Sequence, residues 1–567
     1  MGFSQEIRLP LTPPLSDSDD ELPGDSCSVA PDFKPSITEV RTHYERKMGD
    51  TELSYYLPSR QTGVNDMYLH LGFNAPDHLI GRSRVRLVWA MLRLRHPLLG
   101  SSVQMNDYDD VRFVYPVPTS SEGLIREADH NLEYRAQSKD VLIDSYLNGP
   151  RTLSNSRLSY LILSQPNPEE TLLTPPPTPS PNQEGRLKLL LEEAVPSMRQ
   201  HELLICAVHF MGDGMALHQF ANELLGLLGS DKSEDELKIM LDEEWKSRWG
   251  NESNDASILP SALEDNIPLR WSKLRTVAAA IDFEMSQQKL IGGQSFPRRK
   301  DPERHTIVPT LSFPEDRTKA ILKKCKANGV SISAALFAIC NLAWARMGGG
   351  SKELPVLMYS ALNLRPSFTI KRPSPWDSYW FLAIGYFNVI LPNFIPSDER
   401  AVEATFWHRA RQAKEQSGKA AKNPLLVSRT HEMAKERGER ARRWAKEDDE
   451  RENGTWVPPT AVSSVDGPQV RKDVIIPARK AVPSAALLGL SLLGNLDGIY
   501  KHAAFPSIKM HTLTTGSRQR HGAMLLFGYT FAGKLWVSLG YDENGFKEGV
   551  VDRFWSEAIS GIEEFLG

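Results

Sequence analysis

A histidine followed four residues later by Asp-Gly is where this sequence carries residue types suited to chemistry: His209, Asp213 and Gly214, spelled His-Phe-Met-Gly-Asp-Gly. Imidazole has an unperturbed pKa near neutrality, so it can take a proton from a reacting group and return it. A carboxylate close by can anchor the turn that holds the ring. Glycine reaches backbone angles other residues avoid, which predicts a sharp turn at Gly214. The spelling alone is a weak signal, because ordinary residue frequencies produce it in roughly one chain in twenty of this length. The same residues also fit a satisfied core histidine and an aspartate that caps a helix.

The flanks add structure to the motif. Residues 203–208 form an apolar run that predicts a buried strand ending at His209. After Gly214, Leu217, Phe220, Leu224 and Leu228 recur at helical spacing and can share one face. The stretch reads as strand, tight turn, helix, with the histidine at the strand end and the aspartate in the turn.

The rest of the chain bounds what such a motif can serve. At 567 residues it is too long for one ordinary core and suits two or more domains. The formal net charge of −4 points away from nucleic acid. Four scattered cysteines, Cys27, Cys206, Cys325 and Cys340, contain no Cys-x-x-Cys pair, which argues against a disulfide framework or a zinc site. No apolar run approaches the ~18 residues a bilayer span requires, and the N-terminus lacks an apolar signal core. A cytoplasmic protein with no membrane partner is the expectation. Residues 1–37, rich in Pro, Ser and Asp, read as a disordered tail with Ser16 and Ser18 as phosphorylatable sites. Residues 171–185 carry five prolines and read as a polyproline-like surface insertion or an SH3-type ligand; composition favours the insertion.

Periodicity supplies the remaining elements. A helix is predicted within 82–100, with Val85, Val88, Trp89 and Leu92 inward and Pro97 closing it. Strands are predicted at 111–117 and 157–164, and several short helices across 230–310. Further on come a helix at 314–327, an almost wholly apolar helix capped by Ser331 or Ser333, and a strand at 354–364 followed by Arg365-Pro366. A strand at 381–391, a helix at 401–416, a strand and turn at 487–500, a hairpin across 532–534 and a helix at 550–566 complete the reading. Residues 436–451 are densely charged with both signs and read as a solvated helix or mobile loop.

Several of these stretches resemble one family in the order it requires. His209 to Gly214 looks like the HxxxDG motif of the CoA-dependent acyltransferase superfamily, which includes chloramphenicol acetyltransferase, plant BAHD acyltransferases, fungal trichothecene acetyltransferases and peptide-synthetase condensation domains. Arg95-His96-Pro97-Leu98-Leu99 is similar to the close of that family's first helix. Arg365 matches an arginine that pairs with the motif aspartate, and Gly385-Tyr386-Phe387-Asn388 resembles a YFGN-type segment. Ser491, Leu493, Gly494 and Asp497 match an SNLGxxD-type segment in which Leu492 replaces the asparagine.

The resemblance implies an α/β (α+β) fold of two chloramphenicol-acetyltransferase-like lobes with a tunnel between them. The first lobe would span 38–250, with the proline-rich loop at 171–185, a crossover region 251–306 and a second lobe 307–567. It implies His209 as catalytic base, Asp213, Gly214 and Arg365 as support for the motif, and Ser491, Asn495 and Asn388 as candidate oxyanion or tunnel residues. An ordinary bulge at Gly494 and an Asn-x-Asp-Gly turn fit the 491–498 stretch equally. His96 receives no catalytic role and reads as a cation at a helix C-terminus.

Two departures narrow the implied activity. The DFGWG motif of plant members is absent, and Val208 stands where peptide-forming condensation domains double the histidine. These point to free acyl-CoA as donor, acetyl-CoA above all, and to an O-acyl product on a hydroxylated secondary metabolite. The pattern is closest to fungal trichothecene 15-O-acetyltransferase-like proteins. It implies no bound prosthetic group, no metal and a monomer. The alternatives are a condensation-type enzyme with a carrier-bound donor and a non-catalytic binding protein on the same fold.

Overall fold

Residues 203–207 are buried on both faces because their strand runs through the interior of a sheet. The computed structural model describes residues 42–166, 198–249, 258–269, 272–299, 303–369, 377–457 and 484–567. The tail expected at 1–37, the proline-rich loop expected at 171–185, and Cys27 and Trp271 lie outside the described residues.

Fifteen strands follow one another among the described residues: β1 (His43–Lys47), β2 (Met67–Pro76), β3 (Ser102–Met105), β4 (Val111–Pro116), β5 (Leu132–Arg135), β6 (Ser159–Ser164), β7 (Met198–Ala207), β8 (Thr306–Ile307), β9 (Thr310–Phe313), β10 (Val356–Asn363), β11 (Ile384–Leu391), β12 (Leu488–Asn495), β13 (Lys509–Ser517), β14 (Met524–Phe531) and β15 (Lys534–Asp542). One sheet has the order β13-β2-β7-β6-β5, and β7, the strand that leads to His209, lies at its centre. A second has the order β11-β10-β12-β14-β15-β8, with β9 also on β15. A small third sheet is β1-β4-β3. β13 comes from the far end of the chain yet forms an edge of the first sheet, pairing with β2 from Lys509↔Asn74 to Ser517↔Met67. One half of the chain thus donates a strand to the sheet of the other.

Each large sheet has its own apolar core. The first gathers Leu69, Trp89, Ile205 and Phe220, which joins β2 and β7 to the helices Arg82–Arg95 and Gly214–Leu228. The second gathers Phe337, Val389, Leu526 and Phe554, from the helices Ile332–Arg346 and Val550–Leu566 and from β11 and β14. The helix Ile332–Arg346 is buried almost all round, as its composition predicts, and Ser331 caps it by accepting from the Ala334 N–H. The β14–β15 hairpin turns on Ala532 and Gly533, both at positive φ (51° and 70°), and the Asp497 carboxylate accepts both of their N–H groups. Among the described residues no single helix is long and apolar enough to cross a membrane.

Two expectations are corrected. Residues 230–310 hold two long helices, Glu234–Trp249 and Lys273–Gln287, because their polar residues interrupt the surface without interrupting the backbone. The charged stretch 436–451 is a helix, as one of its two readings has it, but one narrow face of it is buried rather than solvated. It belongs to the 27-residue helix Leu426–Glu452, whose small residues Ala434, Gly438, Ala441 and Ala445 are buried. That helix packs on the helix Asp50–Ser59 so closely that a Cβ on Gly438 would come within 2.6 Å of Asp50 Oδ1.

Candidate active site

β7 ends at Ala207, and His209–Met211 form a single 3-10 turn before the helix Gly214–Leu228 starts. The predicted inward face of that helix is buried in full: Leu217, Phe220, Leu224 and Leu228 are each 1 % exposed or less. A strand that must stay in the sheet and a helix that must bury this face leave only a short turn between them. The turn carries the motif.

Asp213 is consumed by structure. Its Oδ1 accepts from the Ala216 N–H at 3.1 Å and caps the helix. Its Oδ2 accepts from Arg365 Nη1 and from the Ala383 N–H, each at 2.9 Å. Arg365, just beyond β10, also donates to the Phe381 carbonyl at 3.1 Å and lies over the Phe381 ring. One carboxylate thereby ties the β7 turn to the segment entering β11. Both sequence readings of Asp213, cap and arginine partner, hold together.

The glycine argument moves by two positions. Gly214 sits in the first helical turn without a left-handed φ, and a Cβ there would meet only the Leu493 Cδ2 at 3.3 Å. Gly212 is the constrained one. Its backbone is extended, and a Cβ would lie 2.6 Å from the six-membered ring of Trp380, which is fully buried. The close approach of an indole, invisible in the motif's spelling, selects glycine there.

His209 itself is partly buried and has one hydrogen bond, from Nδ1 to the Gly212 carbonyl at 3.1 Å. A carbonyl only accepts, so Nδ1 carries the proton and the neutral ring holds its lone pair on Nε2. Among the described residues Nε2 has no hydrogen-bond partner. Burial lowers the imidazole pKa below its ordinary value; the Gly212 carbonyl and Asp213 oppose that shift and Arg437 reinforces it. The ring stacks on Tyr55 with centroids 4.3 Å apart. At neutral pH the site therefore presents an oriented, unprotonated nitrogen.

Beyond Tyr55 lies a cavity of about 520 Å³. Tyr386 and Asn388 of β11 line it, with Lys289, Lys419, Arg429 and Arg437, and no carboxylate does. Tyr55 and Tyr386 meet hydroxyl to hydroxyl, and Tyr386 lines the cavity, while His209 does not. Ser491 stands on β12 between two neighbours of alternating register: a Cβ on Gly489 would meet Tyr359, and Leu493 reaches Gly214. Ser491 is half-buried, and its hydroxyl makes no hydrogen bond among the described residues.

Asn495 is exposed, and its carboxamide oxygen accepts from the Asp497 N–H and the Thr530 hydroxyl in an Asx-type turn. The register shift between Leu492 and Gly494, with Gly494 at φ 75°, is the bulge the sequence allowed. His96 is no helix-end cation. It is buried, bonds Ser378 at 3.0 Å and Glu223 at 3.3 Å, and burial lowers its pKa. Three residues that the sequence reading passed over frame the motif: Tyr55 against His209, Trp380 against Gly212 and Arg437 against Tyr55. For Arg437 a signal existed: the small residues at 434, 438, 441 and 445 mark one face of a helix built to approach another closely.

No family model and no curated protein matches the chain. Solved structures do. The trichothecene 15-O-acetyltransferase from Fusarium sporotrichioides superposes with a TM-score of 0.68 at 13 % identity, over 92 % of this chain and 95 % of that one. Polyketide synthase associated protein 5 from Mycobacterium tuberculosis gives 0.51 at 11 % identity, over 92 % and 97 %. The first condensation domain of the CDA synthetase gives 0.51 at 11 % identity, over 92 % and 96 %. With its two mixed sheets and the strand that one half donates to the other, the chain has the same α/β fold as these three structures.

Proposed function

We propose that the protein is an acyl-CoA-dependent O-acyltransferase whose acceptor is a hydroxyl group of a small secondary metabolite and whose expected donor is acetyl-CoA. The observation that carries this reading is the fixed tautomer of His209, with Nδ1–H held by the Gly212 carbonyl and Nε2 left free. Nε2 takes the proton of the acceptor hydroxyl. The resulting oxygen attacks the thioester carbonyl carbon, forming the C–O bond and a tetrahedral oxyanion. Ser491 Oγ–H is the proposed donor to that charge. The intermediate collapses with cleavage of the C–S bond, and the thiolate recovers the proton from His209. A base of this kind contributes about 10²–10⁴-fold to the rate. The cationic, carboxylate-free lining of the cavity suits the phosphates of a CoA ester.

The test is a panel of acyl-CoA esters and candidate alcohols, read as CoA release and product mass. Wild-type protein releases CoA with formation of an ester, and H209A does neither while its thermal unfolding is preserved. Turnover by H209A close to wild type overturns the proposal.

A further inference from the structure

We infer that Tyr386 and Arg437 are positioning residues for the His209 base, acting through Tyr55. Four elements meet in this chain of contacts. His209, after β7, stacks on Tyr55 of the helix Asp50–Ser59 with an interplanar angle of 28°. The Tyr55 hydroxyl meets the Tyr386 hydroxyl of β11. The Arg437 guanidinium of the helix Leu426–Glu452 lies 4.5 Å from the centre of the Tyr386 ring and 5.3 Å from that of Tyr55.

An imidazole held by one hydrogen bond keeps freedom to rock about it. The stack removes that freedom only if the tyrosine is itself immobile. Tyr55 is 7 % exposed, and its hydroxyl is held from the second sheet, so its plane is fixed from both ends. Arg437 closes the arrangement as a planar cation against two aromatic faces, a geometry a flexible ammonium reproduces less well. Its approach is built in, since Gly438 and Ala434 on either side let the helix backbone reach Asp50–Ser59.

The same placement has an electrical consequence. The charged and titratable groups that face His209 are Asp213 from its own turn, Arg437 and the phenol of Tyr55. Asp213 is neutralised by Arg365 and two backbone N–H groups. Even so tied, Asp213 favours an imidazolium, and Arg437 opposes it and supports the neutral base that acyl transfer requires.

The activity side of this inference rests on the acyl-transfer reading, so its test uses a readout that does not. Diethyl pyrocarbonate acylates neutral imidazole, and peptide mass mapping of the full chain gives the rate at His209 against pH. In wild type the midpoint lies below that of a free histidine. In R437M it moves up toward that of a free histidine, and in R437K it stays at the wild-type value. In Y386F, which loses a single oxygen, the midpoint is kept and the limiting rate rises about twofold or more as the ring loosens. Where transfer is measured, Y386F lowers kcat. A wild-type midpoint in R437M together with a wild-type rate in Y386F overturns the inference. If R437M fails to fold, the Y386F rate alone decides it. Shifted modification profiles in a protein that transfers no acyl group would sink the acyltransferase reading and leave the positioning role standing.

Discussion

Asp213 and Arg365 stand 152 residues apart in sequence and 2.9 Å apart in space, and the same carboxylate oxygen also takes the Ala383 N–H. The motif aspartate is therefore a joint between the turn that carries the base and the second sheet. Its side chain is 3 % exposed and that of Arg365 18 %. Breaking such a pair from one side leaves a desolvated charge behind. D213N is expected to cost about 3 kcal/mol in denaturant unfolding, and R365M a similar amount. The double variant recovers part of the loss in a double-mutant cycle. Additive costs would show that the pair is not coupled.

Gly212 and Gly214 are predicted to differ, against the emphasis of the motif's spelling. G212A drives a methyl into the buried Trp380 ring and should cost about 2 kcal/mol or more, as overpacking in a core does. G214A asks only that the end of the partly buried Leu493 move by a few tenths of an ångström, so its stability should lie within about 0.5 kcal/mol of wild type. Thermal unfolding of the two variants side by side checks the order.

Ser491 and Asn495 separate in the same way for turnover. S491A removes an unpartnered hydroxyl, the proposed oxyanion donor, and should lower kcat about 10²-fold with little change in KM. N495A disturbs an exposed turn and should leave kcat within about twofold, because its oxygen is already used by Asp497 and Thr530. Equal kinetics for the two would remove Ser491 from the mechanism.

The fold should weaken on mild acidification. Burial lowers the pKa of His96, His209 and His218, the last to about 3. Below the ordinary histidine value of 6.5 the unfolded chain takes up protons that these folded rings refuse, so stability falls as pH falls through that value. It continues to fall for His218 until about pH 3. Each ring contributes at most about 1.4 kcal/mol per pH unit. H218Q, which keeps a polar partner for the Tyr500 hydroxyl now 2.9 Å from Nδ1, should flatten the slope between pH 6 and 5 by about that amount in urea titrations. An unchanged slope would mean that His218 titrates in the fold as it does in the open chain.

Much of the architecture was legible because it follows from period and punctuation. The run 203–208 could only be a buried strand, Leu217 to Leu228 could only share a helix face, and Ser331 and Ala532-Gly533 signalled a cap and a turn. These depend on neighbours a few residues away. Asp213 as cap was also readable from the turn after a strand, and Arg365 as its partner was implied by the resemblance to the acyltransferase motif.

What the tertiary structure alone decided is what meets those residues from elsewhere in the chain. Trp380 above Gly212, Tyr55 beneath His209 and Arg437 against Tyr386 are contacts between residues 51 to 168 apart in number, and no local spacing encodes them. The ring that can act as base was determined by the amino-acid order of one turn. Its tautomer, its lowered pKa and its stillness come from burial and from partners that only packing brings within a few ångströms.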